Sequence, residues 1–234
     1  VVTVTDALGN ATRHTVTREA TGTQMRSATT ADGATTTLIA QTDGTTVKID
    51  GRGLRTTTVL GPDPRWGMAA PLVRRMTQTT AEGLVLVTLA TTRTVTLADP
   101  ADPFSLVALT DSVTSNGRTT TTVYDAVNRT QTVTDPAGQV TVTAFDAQGR
   151  PLTVSTSGLA PVTYSYDGRG RLTTTVEGEG ASQRTTVLSY DALGRLSSRT
   201  DALGNVTSYG YDAAGRRIAE TLATGQTLNY AYDA

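Results

Sequence analysis

Aspartate and arginine are the residues whose spacing first suggests chemistry in this 234-residue sequence. They recur four positions apart, in the pairs Asp125 and Arg129, Asp146 and Arg150, Asp167 and Arg171, Asp191 and Arg195, and Asp212 and Arg216. Such an array of carboxylates and guanidinium groups can bind sugars or ions. The same residues also serve structure, because aspartate accepts hydrogen bonds in turns and arginine stems cover neighbouring strands. We favour the structural interpretation, since it accounts adequately for both residue types.

The remaining reactive side chains are too few for a familiar catalytic centre. His14 is the only histidine and cysteine is absent, which excludes thiolate zinc sites and leaves almost no material for a Ser-His-Asp system. Glu177 and Glu179 can act as a carboxylate pair or hold a cation, but they lie in an irregular insertion, where a solvated loop is favoured. His14 is expected on a strand surface. The sequence therefore predicts a protein with no catalytic residues, no metal ion and no cofactor.

The composition favours extended structure. Threonine contributes 50 residues, about 21% of the chain, and threonine and valine both prefer strands. The formal net charge of −1 argues against a nucleic-acid binder with a basic patch. No stretch approaches the roughly 18 apolar residues that a membrane-spanning helix needs. Threonine on both sides of a strand, as in 118–123, is typical of a sheet wetted on both faces.

An aromatic residue followed by aspartate marks a repeat in the second half of the sequence. The pairs are Tyr124–Asp125, Phe145–Asp146, Tyr166–Asp167, Tyr190–Asp191, Tyr211–Asp212 and Tyr232–Asp233, with a spacing of 21 residues except for one interval of 24. Four residues after each of the first five aromatics comes Asn128, Gly149, Gly170, Gly194 or Gly215, followed at once by an arginine. The longer interval has its three extra residues near 178–182, so the repeat itself continues through it.

Each repeat holds two turn signals and two strand-length segments, which predicts one β-hairpin per repeat. Aspartate at the first turn position and glycine at the fourth fit a type I turn in which glycine takes a positive φ. Asparagine also tolerates the left-handed region, so Asn128 is expected to match Gly194 and Gly215. Tyrosines two positions apart, such as Tyr164 and Tyr166, share a strand face and are expected to form a cross-strand ladder.

The segment 61–103 departs from the repeat pattern. It opens with GPDPRWGMAAPL, whose three prolines and single tryptophan predict a loop or strap, with Trp66 packing the strap onto the sheet rather than stacking on a sugar. We therefore divide the chain into degenerate hairpin repeats over 1–60, a strap with irregular strands over 61–103, and regular repeats over 104–234. The chain is expected to be one continuous strip and a piece of a longer protein, because both ends fall inside repeat-like sequence.

The Tyr-Asp repeat and the forms YDALGRL and DALGN resemble bacterial RHS, or YD-repeat, proteins, and the stretches GPDPRWGMAAP and TRTVTLADPADPFSL resemble the middle of RHS repeat cores. The resemblance covers nearly the whole chain. It implies an all-β fold in which antiparallel hairpin repeats form a curved, spiralling sheet, part of a hollow shell. The segment Asp135-Pro136-Ala137-Gly138 has the form of the element at which RHS cores cleave themselves, but it lies in register with Asp201 and Gly204 and is interpreted as a plain turn.

In function, the resemblance implies a non-enzymatic segment of a shell that encapsulates a C-terminal toxin for delivery to other cells. The implied partners are the remaining repeats and the toxin of the same polypeptide, together with secretion-apparatus proteins reached through N-terminal regions. The implied location is secreted or at the cell surface. The alternative is a surface or secreted repeat protein that binds carbohydrate or a neighbouring cell. Neither a nucleic-acid partner nor a membrane span is expected in this segment.

Overall fold

A computed structural model describes residues 1–233, so the predicted end of the third segment at Ala234 lies outside the described residues. Within that range the chain forms twenty β-strands, and its only helical segment is a 3₁₀ turn at Gly180–Ser182. None of the helices described is long and apolar enough to cross a membrane. The chain divides into two compact units: unit 1 comprises residues 1–127 and 133–138, and unit 2 comprises residues 128–132 and 139 onward. The predicted all-β class is confirmed.

Unit 1 is an antiparallel meander in which each strand pairs with the next along the chain. Its strands are β1 (Val2–Thr5), β2 (Ala11–Arg18), β3 (Gln24–Thr29), β4 (Thr35–Ala40), β5 (Thr45–Ile49), β6 (Arg55–Asp63), β7 (Gly67–Thr79), β8 (Val85–Leu97), β9 (Leu106–Ser115) and β10 (Arg118–Asp125). Strand β11 (Thr130–Thr134) lies where the residue ranges of the two units interleave.

Unit 2 repeats the same sequential pairing with shorter strands. Its strands are β12 (Val140–Phe145), β13 (Pro151–Thr156), β14 (Val162–Tyr166), β15 (Leu172–Glu177), β16 (Arg184–Tyr190), β17 (Leu196–Thr200), β18 (Val206–Tyr211), β19 (Arg217–Thr221) and β20 (Thr227–Asn229). Two strands therefore correspond to each repeat, which confirms the prediction of one hairpin per repeat.

Neither unit has a thick apolar core. In the described range, the only buried residues are Val47 at 2% exposure, Asp63 at 3% and Gly61, which has no side chain. Cross-strand pairs of hydroxyls supply contacts instead, at 2.8–3.0 Å, in Thr29–Thr35, Thr114–Thr119, Thr141–Thr156 and Thr221–Thr227. The strands are thus held by ladder hydrogen bonds and by neighbouring side chains on the same face, which is how a sheet gains stability without a second layer.

The glycine turns have the predicted geometry. Gly194 and Gly215 have φ of 87° and 82°, and the N–H of each donates to the carbonyl of the aspartate three residues earlier. The aspartate N–H also bonds to the carbonyl of the following arginine, for example Asp191 to Arg195 at 2.9 Å. This is a three-residue hairpin loop, a type I turn closed by a left-handed residue. It produces the one-residue register shift that the structure shows beside Tyr190.

The prediction for Asn128 is wrong. The left-handed residue of that turn is Arg129, with φ of 52°. Four residues, Ala126–Arg129, make the turn there, in place of the three-residue loop of the glycine repeats. Because this turn lacks glycine, it is one residue longer and the positive φ falls one position later, at Arg129. A positive φ is sterically unfavourable for arginine, so this turn is strained relative to the glycine turns.

The segment 61–72, which was expected to form a loop or strap, is mostly β-strand. Strand β6 runs to Asp63 and strand β7 begins at Gly67, so only residues 64–66 form the turn between them. Prolines at 62 and 71 are accommodated in strand because the pairing shifts register between Gly61 and Asp63, where a missing N–H donor is tolerated. The proposed three-part division of the chain remains a prediction.

Replacing Gly215 by alanine tests the turn geometry. Gly215 has φ of 82° and open space where a methyl group would stand, so the substitution adds backbone strain alone and should lower the free energy of unfolding by about 1–2 kcal/mol. Gly168 also has open space but an ordinary φ, so Gly168→Ala is the matched control and should not destabilise. Urea denaturation measures both. Equal losses would contradict the left-handed turn.

Candidate functional site

The repeat-defining side chains of unit 2 gather at the hairpin tips, where each aspartate organises its own turn. The Oδ1 of Asp146 accepts hydrogen bonds from the N–H groups of Gln148 and Arg150, both at 2.9 Å. Asp167 does the same for Arg169 and Arg171, at 2.9 and 3.0 Å. Aspartate at this position therefore stabilises the backbone of its own turn.

The second carboxylate oxygen of each aspartate binds the arginine that ends the same turn. The Arg Nε donates to Oδ2 at 2.6–2.8 Å in Arg150–Asp146, Arg171–Asp167, Arg195–Asp191 and Arg216–Asp212. Both side chains of each pair are partly exposed, and the aspartate is always the less exposed of the two. A charge-assisted bond of this kind fixes the plane of the guanidinium group.

That orientation places each guanidinium over the tyrosine of the following repeat. The distances from Cζ to the ring centroid are 4.5 Å for Arg150–Tyr166, 4.4 Å for Arg171–Tyr190, 4.7 Å for Arg195–Tyr211 and 4.9 Å for Arg216–Tyr232. The arginine is therefore shared: its edge binds the aspartate of its own turn, and its face packs on a ring one hairpin further on.

The tyrosine hydroxyl completes the contact in the opposite direction. It donates to the carbonyl of the residue after the arginine in the preceding repeat, at 2.7–2.9 Å, in Tyr166–Pro151, Tyr190–Leu172, Tyr211–Leu196 and Tyr232–Arg217. Each hairpin thus grips the next through one cation–π contact and one hydrogen bond. We call this set of aspartate, arginine and tyrosine contacts the inter-repeat clamp.

The clamp explains why the repeat needs its particular residues. The tyrosine must carry a hydroxyl to reach the carbonyl, the arginine must be planar to serve two partners, and the aspartate must satisfy both the turn and the arginine. Phe145 has no hydroxyl, and it follows the one repeat whose turn lacks glycine. The expected ladder of stacked tyrosines is corrected accordingly. In the described part of unit 2, no ring–ring contact joins the tyrosines. Guanidinium groups instead cover the rings of Tyr166, Tyr190, Tyr209, Tyr211, Tyr230 and Tyr232.

The clamp aspartates are held ionised. Backbone N–H and guanidinium donors of Arg171 and of Arg195 lower the pKa of Asp167 and of Asp191 below the ordinary value. The pKa of Asp146 is also lowered, because its hydrogen bonds with Arg150 and Gln148 outweigh the desolvation that works to raise it. Carboxylates with lowered pKa values are poor proton donors at neutral pH, which is consistent with a structural role.

Unit 1 contains a second ionic cluster that sequence reasoning missed. Arg93 on β8 binds Asp111 on β9 through two parallel bonds of 2.7 Å and binds Asp63 at the end of β6 at 3.0 Å. The buried Asp63 also accepts from the N–H groups of residues 65 and 66. Although burial works to raise it, the pKa of Asp63 is lowered by these donors. The three residues are separated by 30 and 18 positions, so no local pattern in the sequence pairs them.

The remaining candidates from the sequence are His14, Glu177, Glu179 and Trp66. His14 is exposed on β2. Glu177 was expected in the insertion but is the last residue of β15, and its side chain is exposed. Glu179 lies beyond the strand and is also exposed. Among the described residues, no three metal-ligating side chains come together. Trp66 packs edge-on against Phe104, with ring centroids 5.1 Å apart, so it joins two turns at one end of the sheet.

Comparison with known families identifies the repeat. The RHS repeat model matches residues 124–161, 145–182 and 190–227, which include every clamp residue except Tyr232. Residues 124–182 and 190–227 are therefore RHS repeats. No curated protein matches the chain.

Solved structures similar to this chain include TcdB2-TccC3-Cdc42, at 14% identity and a TM-score of 0.41 over 96% of this chain. Another is TcdB2-TccC3, at 16% identity and a TM-score of 0.33. The Tc holotoxin pore of Photorhabdus luminescens matches at 12% identity and a TM-score of 0.39 over 91% of this chain. The chain spans only 17%, 16% and 14% of those chains, respectively.

Removing one tyrosine hydroxyl tests the clamp. Tyr166→Phe deletes the hydrogen bond to Pro151 and should lower the free energy of unfolding by about 0.5–1.5 kcal/mol. Tyr164 lies two residues away on the same strand and shares its face, and its hydroxyl has no hydrogen-bond partner among the described residues, so Tyr164→Phe should be near neutral. Chemical denaturation compares the two. A larger loss at Tyr164 would contradict the assigned role.

Acid titration tests the ionised aspartates. Because folding lowers the pKa of Asp167, Asp191 and Asp212, their contribution is fully present above the ordinary aspartate pKa of about 3.9. The free energy of unfolding should therefore be nearly constant from about pH 7 to 5 and fall as the pH drops below about 4. Denaturation midpoints measured across this range check the expectation, and Asp191→Asn should reduce the acid-dependent loss. Rising stability on acidification would contradict it.

Proposed function

We propose that this RHS-repeat chain is a non-enzymatic wall segment of a shell that encapsulates a C-terminal toxin of the same polypeptide for delivery to other cells. The observation that carries the proposal is the inter-repeat clamp. The recurrent charged and hydroxyl-bearing side chains of the repeat are occupied in joining one hairpin to the next. Aspartate, arginine and tyrosine side chains that bind the neighbouring hairpin are suited to extending a sheet rather than to catalysis.

The surface of the sheet supports the same role. Threonine is the commonest residue and many aliphatic side chains are partly exposed, among them Val142, Leu152 and Val187. A wall of this kind offers mild, mostly uncharged contacts to a partly unfolded polypeptide. Each weak contact offsets little of the entropy lost on ordering, so the cargo is contained without being bound tightly.

The proposal assigns partners and a location. The partners are the remaining repeats and the C-terminal toxin, with secretion-apparatus proteins reached through N-terminal regions. The location is outside the producing cell, either secreted or on the cell surface. The chain itself contributes no catalytic residue and no cofactor to this function.

Limited proteolysis of the intact parent protein tests encapsulation. In the intact protein, the C-terminal domain should be cleaved far more slowly than the same domain isolated. Deleting residues 124–231, which removes the clamped hairpins, should restore rapid cleavage. Because the deletion can misfold the chain, a second variant carries a specific protease site at Gln148, in an exposed turn. Opening the wall there should also expose the cargo.

Two results would count against the shell. Equal digestion of the C-terminal domain in the intact protein and in both variants would exclude protection by these repeats. Retention of the intact protein on immobilised carbohydrate or on neighbouring cells, together with that result, would favour the surface-binding function instead.

A further inference from the structure

One face of the first five strands combines cations with exposed aliphatic side chains. The register places Val16 opposite Arg26, Arg26 opposite Leu38, and Leu38 opposite Lys48. Directly opposed residues share a face of the sheet, so these four form one row across β2 to β5. Val16 and Leu38 are 57% and 40% exposed, and both cations are exposed.

The row belongs to a larger patch with the same character. His14 and Arg18 lie two positions on either side of Val16 and therefore point to the same face. On β1, Val2 lies opposite His14 and Val4 opposite Thr12, and the two valines are 63% and 54% exposed. We call this set, namely Val2, Val4, His14, Val16, Arg18, Arg26, Leu38 and Lys48, the basic-aliphatic face.

No carboxylate lies on these strands. The acidic residues of this region, Asp6, Glu19, Asp32, Asp43 and Asp50, all fall in the turns between strands. Asp6 and Asp50 already accept hydrogen bonds from the N–H groups of their own turns. Arg26 donates to the amide oxygen of Gln24, and none of the ion pairs among the described residues involves Arg18, Arg26 or Lys48. The face therefore carries positive charge that the chain does not neutralise locally.

The chemistry of the face selects among ligands. Nucleic acid is disfavoured because the face has no aromatic ring on which bases can stack, and the chain as a whole has a net charge of −1. A lipid surface is disfavoured because the apolar residues are short aliphatics without the tryptophan or tyrosine of membrane-interface anchors. Unpaired cations alternating with aliphatics complement a polypeptide that alternates carboxylates with aliphatic side chains.

The size of the face sets the size of the partner. Five strands at about 4.8 Å spacing and about six residues of strand length give a patch of roughly 20 Å by 20 Å. This area is about half of what one partner buries in a standard protein–protein interface. We propose that the basic-aliphatic face binds a short, extended polypeptide segment in which acidic and aliphatic residues alternate. This inference concerns unit 1 alone and does not depend on the shell.

Fluorescence anisotropy with a defined peptide tests the proposal. The probe is a labelled peptide of about eight residues that alternates glutamate and valine, long enough to cross the patch. It should bind the 234-residue chain, and binding should weaken as salt rises above about 0.15 M. A peptide that alternates lysine and valine should not bind, and one that alternates glutamate and serine should bind more weakly than the probe.

Charge-reversal variants locate the binding surface. Arg26→Glu combined with Lys48→Glu should weaken binding of the glutamate–valine peptide by about tenfold or more, since two ion pairs become repulsive. Arg13 and Arg55 are exposed on the opposite face of the same sheet, as Arg13 neighbours His14 and Arg55 pairs with Ile49. Arg13→Glu combined with Arg55→Glu makes the same change in net charge and should leave binding within about twofold. Circular dichroism confirms that both variants retain the fold.

Three outcomes would overturn the inference. Equal loss in the two variants would show that binding follows net charge alone. No loss in either would place the peptide elsewhere, such as at a free strand edge. Tighter binding of duplex DNA, or of vesicles containing phosphatidylserine, than of the peptide would assign the face to a different class of partner.

Discussion

The structure depends on a guanidinium group that serves two hairpins at once. A sheet with almost no buried side chains cannot rely on a hydrophobic core to keep its hairpins in order. In unit 2 that task falls to the arginine that ends each turn, because its edge binds the aspartate of the same turn and its face covers the next tyrosine. The tyrosine hydroxyl returns the contact to the preceding hairpin. Turn geometry and order between repeats are therefore set by the same few atoms.

Each clamp joins only neighbouring repeats, so in unit 2 the stability of one repeat depends mainly on the repeats next to it. This arrangement also explains why the repeat tolerates so much threonine between its tips: the strands need β propensity and ladder hydrogen bonds, but not a set of interlocking apolar side chains. Where the pattern lapses, at Asn128 and Phe145, the glycine and the hydroxyl are missing together. Unit 1 relies on a different anchor, in which Arg93 joins Asp63 and Asp111 across strands β6, β8 and β9.

The sequence predicted the features that depend on local chemistry. The hairpin per repeat, the turns and the positive φ of Gly194 and Gly215 follow from residues adjacent in the chain. Asn128 was mispredicted because a residue's tolerance of the left-handed region does not decide which turn length the backbone adopts. The arginine–tyrosine contacts were missed because they join residues 16 to 19 positions apart, and their geometry depends on a register shift that no single repeat reveals. The Arg93 cluster is harder still to predict, because it occurs only once and no repeated spacing in the sequence points to it.

A pair of double-mutant cycles tests whether the clamp couples each repeat to the next. The first cycle combines Arg195→Met with Tyr211→Leu, which are in contact at 4.7 Å. The second combines Arg171→Met with Tyr211→Leu, which belong to repeats that are not neighbours. Because the clamp joins only adjacent repeats, we expect a coupling energy of about 0.5–1 kcal/mol in the first cycle and none beyond about 0.3 kcal/mol in the second. Equal coupling in the two cycles, or none in the first, would contradict this expectation.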